Sequence, residues 1–310
     1  MIRTYAAFVL LGIFWGSNFI YMKWASALIT SGQISLLRVF FGFAPLAVLA
    51  WRKGALRLGQ IRHLHHFAMM AAFATAFSYF AMAQGTALLP SGIAGVLGAS
   101  PALFTCMAST IFLRHERMNR MMGSGVLLGV VGIALISRPW SSNGPDAAIN
   151  ALGVAWMLAG SMVFGLSYIY VRRYLSATRL PPLAIVTWQM GLALLMLVCL
   201  TDPHGIGRIA SDWKAATGLV FGLGLLGTGA SFLLYYYLLD NLGAVAAASA
   251  VYVTPVVALL IGWWVGERVG LLELIAVLMI FGSIALLELG RQAGTRQKTQ
   301  SVTTSTVSVD

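Results

Sequence analysis

Few side chains in this sequence could do chemistry inside an apolar environment, and they recur one, two or three to a segment. They are Trp15 and Asn18, Arg38, Ser78 and Tyr79, Ser161 with Phe164 and Tyr168, Trp188 and Gln189, Ser231 and Tyr235, and Tyr252. Their chemistry is recognition, not bond-making: a mostly aromatic lining with a few hydrogen-bonding groups suits small amphipathic solutes. Each aromatic taken alone is better explained by packing against lipid or a neighbouring helix, as at membrane interfaces. Arg38 is the one charge well inside a segment. Its planar fork matches a carboxylate or a phosphate, while backbone carbonyls or a neighbouring helix would also satisfy it. The structural role is the stronger expectation for Arg38.

The remaining ionisable groups sit elsewhere. Asp146, Asp202, Asp212 and Asp310 fall in loops or the tail, and Glu116, Asp240, Glu267, Glu273 and Glu288 lie near segment ends. His63, His65, His66, His115 and His204 do the same. No carboxylate or imidazole is placed to carry a proton at mid-depth, so facilitated diffusion is expected, or coupling through a group near a helix end. Enzymatic readings lack their parts. Ser17 after Gly16 has no mid-depth histidine as general base, and there is no Walker loop. Cys106 and Cys199 lie inside segments as small buried hydrophobes without metal-ligand or disulfide spacing. We expect no enzymatic activity, no cofactor and no metal.

The elements that must position these groups follow from composition: 59% of the 310 residues are hydrophobic and only 9% charged, which a water-soluble fold does not accommodate. Ten apolar segments are read at 5–23, 33–51, 66–88, 92–113, 121–138, 151–171, 183–201, 217–239, 244–265 and 270–290. Each approaches the ~20 residues that a helix needs to cross a bilayer. Their continuous hydrophobicity excludes the alternation of barrel strands. The fold class is an all-α membrane protein.

Charge placement orients it. With the N-terminus inside, fourteen Lys and Arg fall on the inner side and five on the outer, Lys23, Arg138, Arg208, Lys214 and Arg268. Both termini are therefore expected in the cytoplasm of a cell that carries the chain in its membrane, a bacterial inner membrane for instance. The net charge of +11 follows the loops and not one face, so no nucleic-acid partner is expected; membrane lipid and a small-molecule substrate are. Tyr21, Trp24, Trp51, Trp140 and Trp213 read as interfacial anchors. Residues 291–310, rich in Thr, Ser and Gln, read as a disordered cytoplasmic tail.

The first five segments echo the last five. Trp15-Gly16-Ser17-Asn18 through Lys23 lies over Phe164-Gly165-Leu166-Ser167 through Arg172. Pro101 answers Pro255, His115-Glu116-Arg117 answers Gly266-Glu267-Arg268, and Gly132 answers Gly282. Landmarks repeated in one order indicate duplication, and an odd number of spans per copy makes the two copies inverted in the membrane. The chain thus reads as two repeats, 1–143 and 144–290.

With Trp15 to Asn18, the Arg38-Val39-Phe40 run, the proline and glutamate landmarks and the Gly125-x-x-x-Gly129-x-x-Gly132 motif, the sequence resembles the drug/metabolite transporter superfamily, specifically its ten-span EamA-type exporters. The resemblance implies two inverted five-helix halves around a central cavity lined by helices one to four and six to nine, with five and ten outside. It also implies export of small solutes such as amino acids, drugs, sugars or nucleotide conjugates. Unlike the small multidrug members, this chain has no glutamate in its first segment.

Small residues before Pro101 (Gly92, Gly95, Gly98, Ala99, Ser100) and before Pro255 (Ala246 to Ala250) permit close helix approach. Mid-span prolines kink helices, so a pair of gating helices is expected there. The Gly125-x-x-x-Gly129 and Gly218-x-x-x-Gly222 motifs read as intramolecular packing, and no oligomer is established. Export of amino acids or related metabolites by alternating access is the first expectation; drug efflux or sugar- or lipid-conjugate transport is second, and a non-transporting scaffold third.

Overall fold

The computed structural model describes residues 2–112, 118–137, 150–178, 180–235, 237–238, 241, 250–267 and 270–307, and every regular element among them is helical. We label them α1 (Ile2–Ser26), α2 (Ser31–Arg52), α3 (Leu58–Leu88), α4 (Ser91–Leu97), α5 (Pro101–Phe112), α6 (Arg120–Ser137), α7 (Ala151–Leu175), α8 (Pro182–Leu200), α9 (Trp213–Tyr235), α10 (Thr254–Trp264) and α11 (Leu271–Val307). Eight stretches, with α4 and α5 taken as one, are long and apolar enough to cross a membrane. Two more apolar helices, Arg120–Ile136 and Ala250–Trp264, are shorter. Both abut residues outside the described set, and they correspond to the fifth and ninth expected spans.

Several helices start where local chemistry dictates. Thr30 caps α2 with a full capping box, its hydroxyl accepting from the Gln33 N–H while the Gln33 side chain accepts from the Thr30 N–H. Asn150 and Asp212 cap α7 and α9 through their side-chain oxygens, and Pro182 opens α8. Gln33 also donates from Nε2 to the Asp202 and His204 carbonyls at 2.8 Å each, tying the start of α2 to the loop after α8. In that loop the His204 backbone N–H and ring hold the Asp202 carboxyl below the usual carboxylate range.

Each half reaches into the other. The first two helices, α1 and α2, both pack on α9, while α7 and α8 both pack on α3. Glycines make the first of these contacts possible. A carbon added at Gly222 would lie 2.3 Å from the Tyr21 ring of α1, one at Gly224 2.5 Å from Phe41 of α2, and one at Gly229 2.6 Å from the Pro45 ring. Between lipid-soluble helices there is no hydrophobic drive to associate, so close backbone approach and the dispersion it allows carry the packing.

The pair α6 and α11 packs along its length, with Gly125, Gly129 and Gly132 facing Leu286, Ser283 and Ile280. Both glycine motifs therefore serve contacts within the chain. His115, Glu116 and Arg117, Arg138 and Trp140, Ser142, Asp146, Asp240, Ala246 to Ser249, and Arg268 lie outside the described residues.

Two expectations need correction. The prolines do not kink continuous helices: Pro101 is the first residue of α5, after a break at Gly98 to Ser100, and Pro255 is the second residue of α10. A proline there loses no ladder bond, because the first N–H groups of a helix have no intrahelical partner. The loop expected before residue 66 is helical from Leu58. Helix α11 is described to Val307, past the apolar stretch that ends at Ala293.

The α6–α11 seam makes a direct prediction. A carbon added at Gly129 would lie 2.4 Å from Leu103 and 2.5 Å from the Ser283 hydroxyl, whereas at Gly123 it meets only the Met118 sulfur at 3.8 Å. In detergent-solubilised protein, Gly129→Val should cost about 1–3 kcal/mol of stability by overpacking, and Gly123→Val should leave the thermal midpoint nearly unchanged.

Candidate functional site

The middle of the bundle is built on two distorted helices. In α3 residues Ala71–Phe77, and in α9 residues Gly218–Ala230, the backbone is π-helical, a widened geometry that concentrates at functional positions. At the end of each segment a hydroxyl restores what the widening loosens. Ser78 donates to the Phe73 carbonyl at 2.8 Å, and Ser231 donates to the Leu226 carbonyl at 2.8 Å. Thr228, inside the second segment, donates to the Leu223 carbonyl at 2.9 Å.

Two long side chains cross to these segments from the other half. Arg38 of α2 donates from Nε to the Thr228 hydroxyl of α9 at 3.1 Å. Gln189 of α8 donates from Nε2 to the Thr75 hydroxyl of α3 at 2.7 Å. Both partners of the second pair lie about 150 residues from their counterparts in the first, the offset at which the sequence repeats. Gly42, one turn beyond Arg38, allows this approach, since a carbon there would lie 2.6 Å from Thr228.

Around Arg38 the surroundings are aromatic. Its guanidinium lies over the Tyr79 ring, 3.8 Å from the centroid, within the range of a cation–π contact. Tyr168 of α7 interacts electrostatically with both Tyr79 and Tyr235, and Tyr235 in turn packs against Trp15 with ring centroids 6.2 Å apart. Phe164 meets Tyr168 edge-on at 5.3 Å. Although it faces these residues, Tyr168 is 46% exposed.

Arg38 is only 7% exposed. Thr228 takes one of its five N–H donors, and no carboxylate among the described residues pairs with it. A buried charge left so costs several kcal/mol relative to a paired or neutral group.

One end of the bundle is latched. Glu267, beyond α10, accepts from the Ser91 N–H at 2.7 Å and the Gly92 N–H at 2.9 Å, capping α4 across the two halves. Lys23 of α1 donates to the Ala87 carbonyl at 2.9 Å and feels the Glu267 charge. Gly262 leaves room for that carboxylate, since a carbon there would lie 2.5 Å from Glu267 Oε2. Beside the latch, residues Ser26, Thr30, Gln33, Gln84, His204 and Arg208 border a depression of about 440 Å³.

Not every expected residue joins the centre. Asn18, 4% exposed, donates from Nδ2 to the Gly227 carbonyl at 3.3 Å, and its Oδ1 has no hydrogen-bond partner. An added carbon at Gly227 would meet Oδ1, so Asn18 acts as a clamp between α1 and α9. Trp188 donates to Gln60 Oε1 at 2.8 Å and stacks parallel on Phe67, toward the end opposite Glu267. Tyr252 donates to Glu288 Oε2 at 2.9 Å, joining α11 to the chain before α10. Ser78 and Ser231 are buried and bonded to their own helices. Trp15, Arg38, Tyr79, Phe164, Tyr168 and Tyr235 are brought together. Sequence reasoning missed Thr75 and Thr228, which look like ordinary small residues in apolar runs; their matched offset was the available signal. It also read Lys23 and Glu267 only as landmarks.

Comparison with known proteins gives the following. The model of the EamA-like transporter family matches residues 2–138 and again residues 151–289. Among similar proteins, "Uncharacterized transporter YdfC" of Bacillus subtilis (strain 168) is 25% identical over 82% of this chain and 81% of its own. "Uncharacterized inner membrane transporter YedA" of Escherichia coli (strain K12) is 26% identical over 66% of this chain and 63% of its own. "Probable terminal-alkyne amino-acid exporter" of Streptantibioticus cattleyicolor is 26% identical over 76% of each. A crystal structure that carries no functional name shares the fold, with a TM-score of 0.59 at 17% identity, over 92% of this chain and 97% of its own.

The Asn18 clamp can be tested by a double-mutant cycle in thermal unfolding. Gly227→Ala should destabilise by about 1–3 kcal/mol in the native background and by clearly less in Asn18→Ala, because the crowding atom is then gone. Equal costs in both backgrounds would remove the clamp.

Proposed function

The chain belongs to the EamA-like transporter family, and from that premise we propose that it exports small amphipathic metabolites, amino acids and their relatives first, by alternating access through the central space. The observation that carries this is Tyr168, exposed and yet turned toward Tyr79 and Tyr235. A half-exposed tyrosine inside a ring of aromatics describes a solute cavity more naturally than a packed core. The name borne by one relative, an amino-acid exporter, favours amino acids within that class.

Ten spans in two inverted halves fit what the bundle contains. The eight long helices and the two shorter ones together make ten apolar stretches. The crossing bonds Arg38 to Thr228 and Gln189 to Thr75 are what a twofold-related pair of halves would produce. So are the contacts of Gly16 with Thr254 and Val257 and of Gly165 with Pro101 and Phe104. The excess of Lys and Arg at the end of Arg52, Arg62 and Arg172 supports cytoplasmic termini in a cell membrane. In that orientation the Glu267 latch lies at the outer end of the bundle. Pro101, beside the break at Gly98 to Ser100, and Pro255, beside the 3-10 turn Ala250–Val253, are suited to hinge the helices that move.

Drug efflux is the second reading, favoured by the aromatic lining alone. Counterflow in proteoliposomes separates the two. Vesicles loaded with unlabelled amino acids should take up labelled amino acid faster than empty ones, indifferent to an imposed pH gradient, since the described residues hold no carboxylate at mid-depth. Silence across an amino-acid panel, with trans-stimulation by lipophilic cations, would replace amino-acid export with drug efflux.

A further inference from the structure

We propose that Arg38 is the recognition site for a single carboxylate of the transported solute, so that the cavity selects monoanionic carboxylates and zwitterions over their uncharged analogues. The inference rests on the export reading above and narrows its substrate class.

The argument comes from the two crossing bonds. Gln189 joins α8 to α3 through Thr75 with one N–H of a neutral amide. Arg38 joins α2 to α9 through Thr228 in the corresponding way, with one N–H. Bridging the halves at this place therefore requires only an uncharged donor, and the charge on Arg38 is surplus to it. The described acids are engaged or distant: Glu267 holds Ser91 and Gly92, Glu288 holds Arg291 and Tyr252, Asp202 holds the His204 N–H, Asp212 caps α9, and Glu273 lies in the first turn of α11 against Gly270. The guanidinium's face is covered by Tyr79, which leaves its edge donors for a ligand in the plane of the fork. That geometry is bidentate carboxylate recognition.

The class of anion follows from the charge count. One guanidinium stands in aromatic surroundings, and Lys23 of α1 is bonded to the Ala87 carbonyl at the latched end. A doubly charged phosphate would bring an uncompensated charge into this space, whereas a monocarboxylate is matched one to one. Tyr168, Tyr235 and Trp15 then face the apolar body of the solute.

The test uses purified full-length protein and paired probes that differ only at the carboxyl: benzoate with benzamide, and L-phenylalanine with L-phenylalaninamide. Thermal unfolding is followed at increasing probe concentration. The acids should stabilise at concentrations roughly ten- to a hundredfold lower than the amides. Arg38→Gln should abolish that preference, and Arg38→Lys should keep part of it. Equal response to acid and amide, stabilisation by none of the probes, or an unchanged preference in Arg38→Gln would overturn the proposal. Should Arg38→Gln not fold, the acid-to-amide comparison in the native protein and in Arg38→Lys decides. Counterflow with the same probes separates this from the export reading. Acid preference in binding without counterflow would leave the Arg38 site and remove export; counterflow without acid preference would do the reverse.

Discussion

The bundle depends on close contact between halves in a solvent that gives helices no reason to associate. Lipid is as apolar as the helices themselves, so cohesion must come from backbones brought near enough for dispersion and from a few polar bonds. The glycines of α9 supply the first, letting Tyr21, Asn18, Phe41 and Pro45 of the opposite half settle against its backbone. The bonds from Arg38 to Thr228 and from Gln189 to Thr75 supply the second. Each half grips one helix of the other.

The same constraint explains the π-helical segments. A helix threaded between two partners of another half must fit both, and widening by one residue per turn shifts the register of its side chains. The widened turns leave carbonyls loosely held, and hydroxyls of Ser78, Thr228 and Ser231 take them up. A threonine so engaged still has a lone pair for a crossing donor, which is how Thr228 serves its own backbone and Arg38 together. Local repair and long-range bridging share one atom.

Much of this was legible in the sequence because the bilayer leaves few choices. The all-helical membrane class, the duplication, the exceptional place of Arg38 and the intramolecular use of the glycine motifs could all be read from residue type and spacing. Family membership was legible in the same landmarks. What escaped was direction around each helix. Trp188 and Tyr252 have the right chemistry and depth for a pocket, but they point toward Gln60 and Glu288, and a span that is apolar all round carries no periodicity to reveal this. The π-segments escaped for a related reason, since they arise from tertiary fit and not from local preference. Glu267 was visible as a repeated landmark, while its role required knowing that α4 begins beside it.

The central claim is that the two ends of the cavity open in turn, with the Glu267 latch holding one of them shut. The most direct measurement is a pair of interspin distances in lipid, one between labels at Ala27 and Val265 across the latched end, the other between labels at Tyr5 and Tyr174 across the opposite end. Comparing the native latch with Glu267→Gln, the account predicts that the Ala27–Val265 distance lengthens while the Tyr5–Tyr174 distance shortens. Distances that stay fixed, or that change in the same sense at both ends, would contradict it.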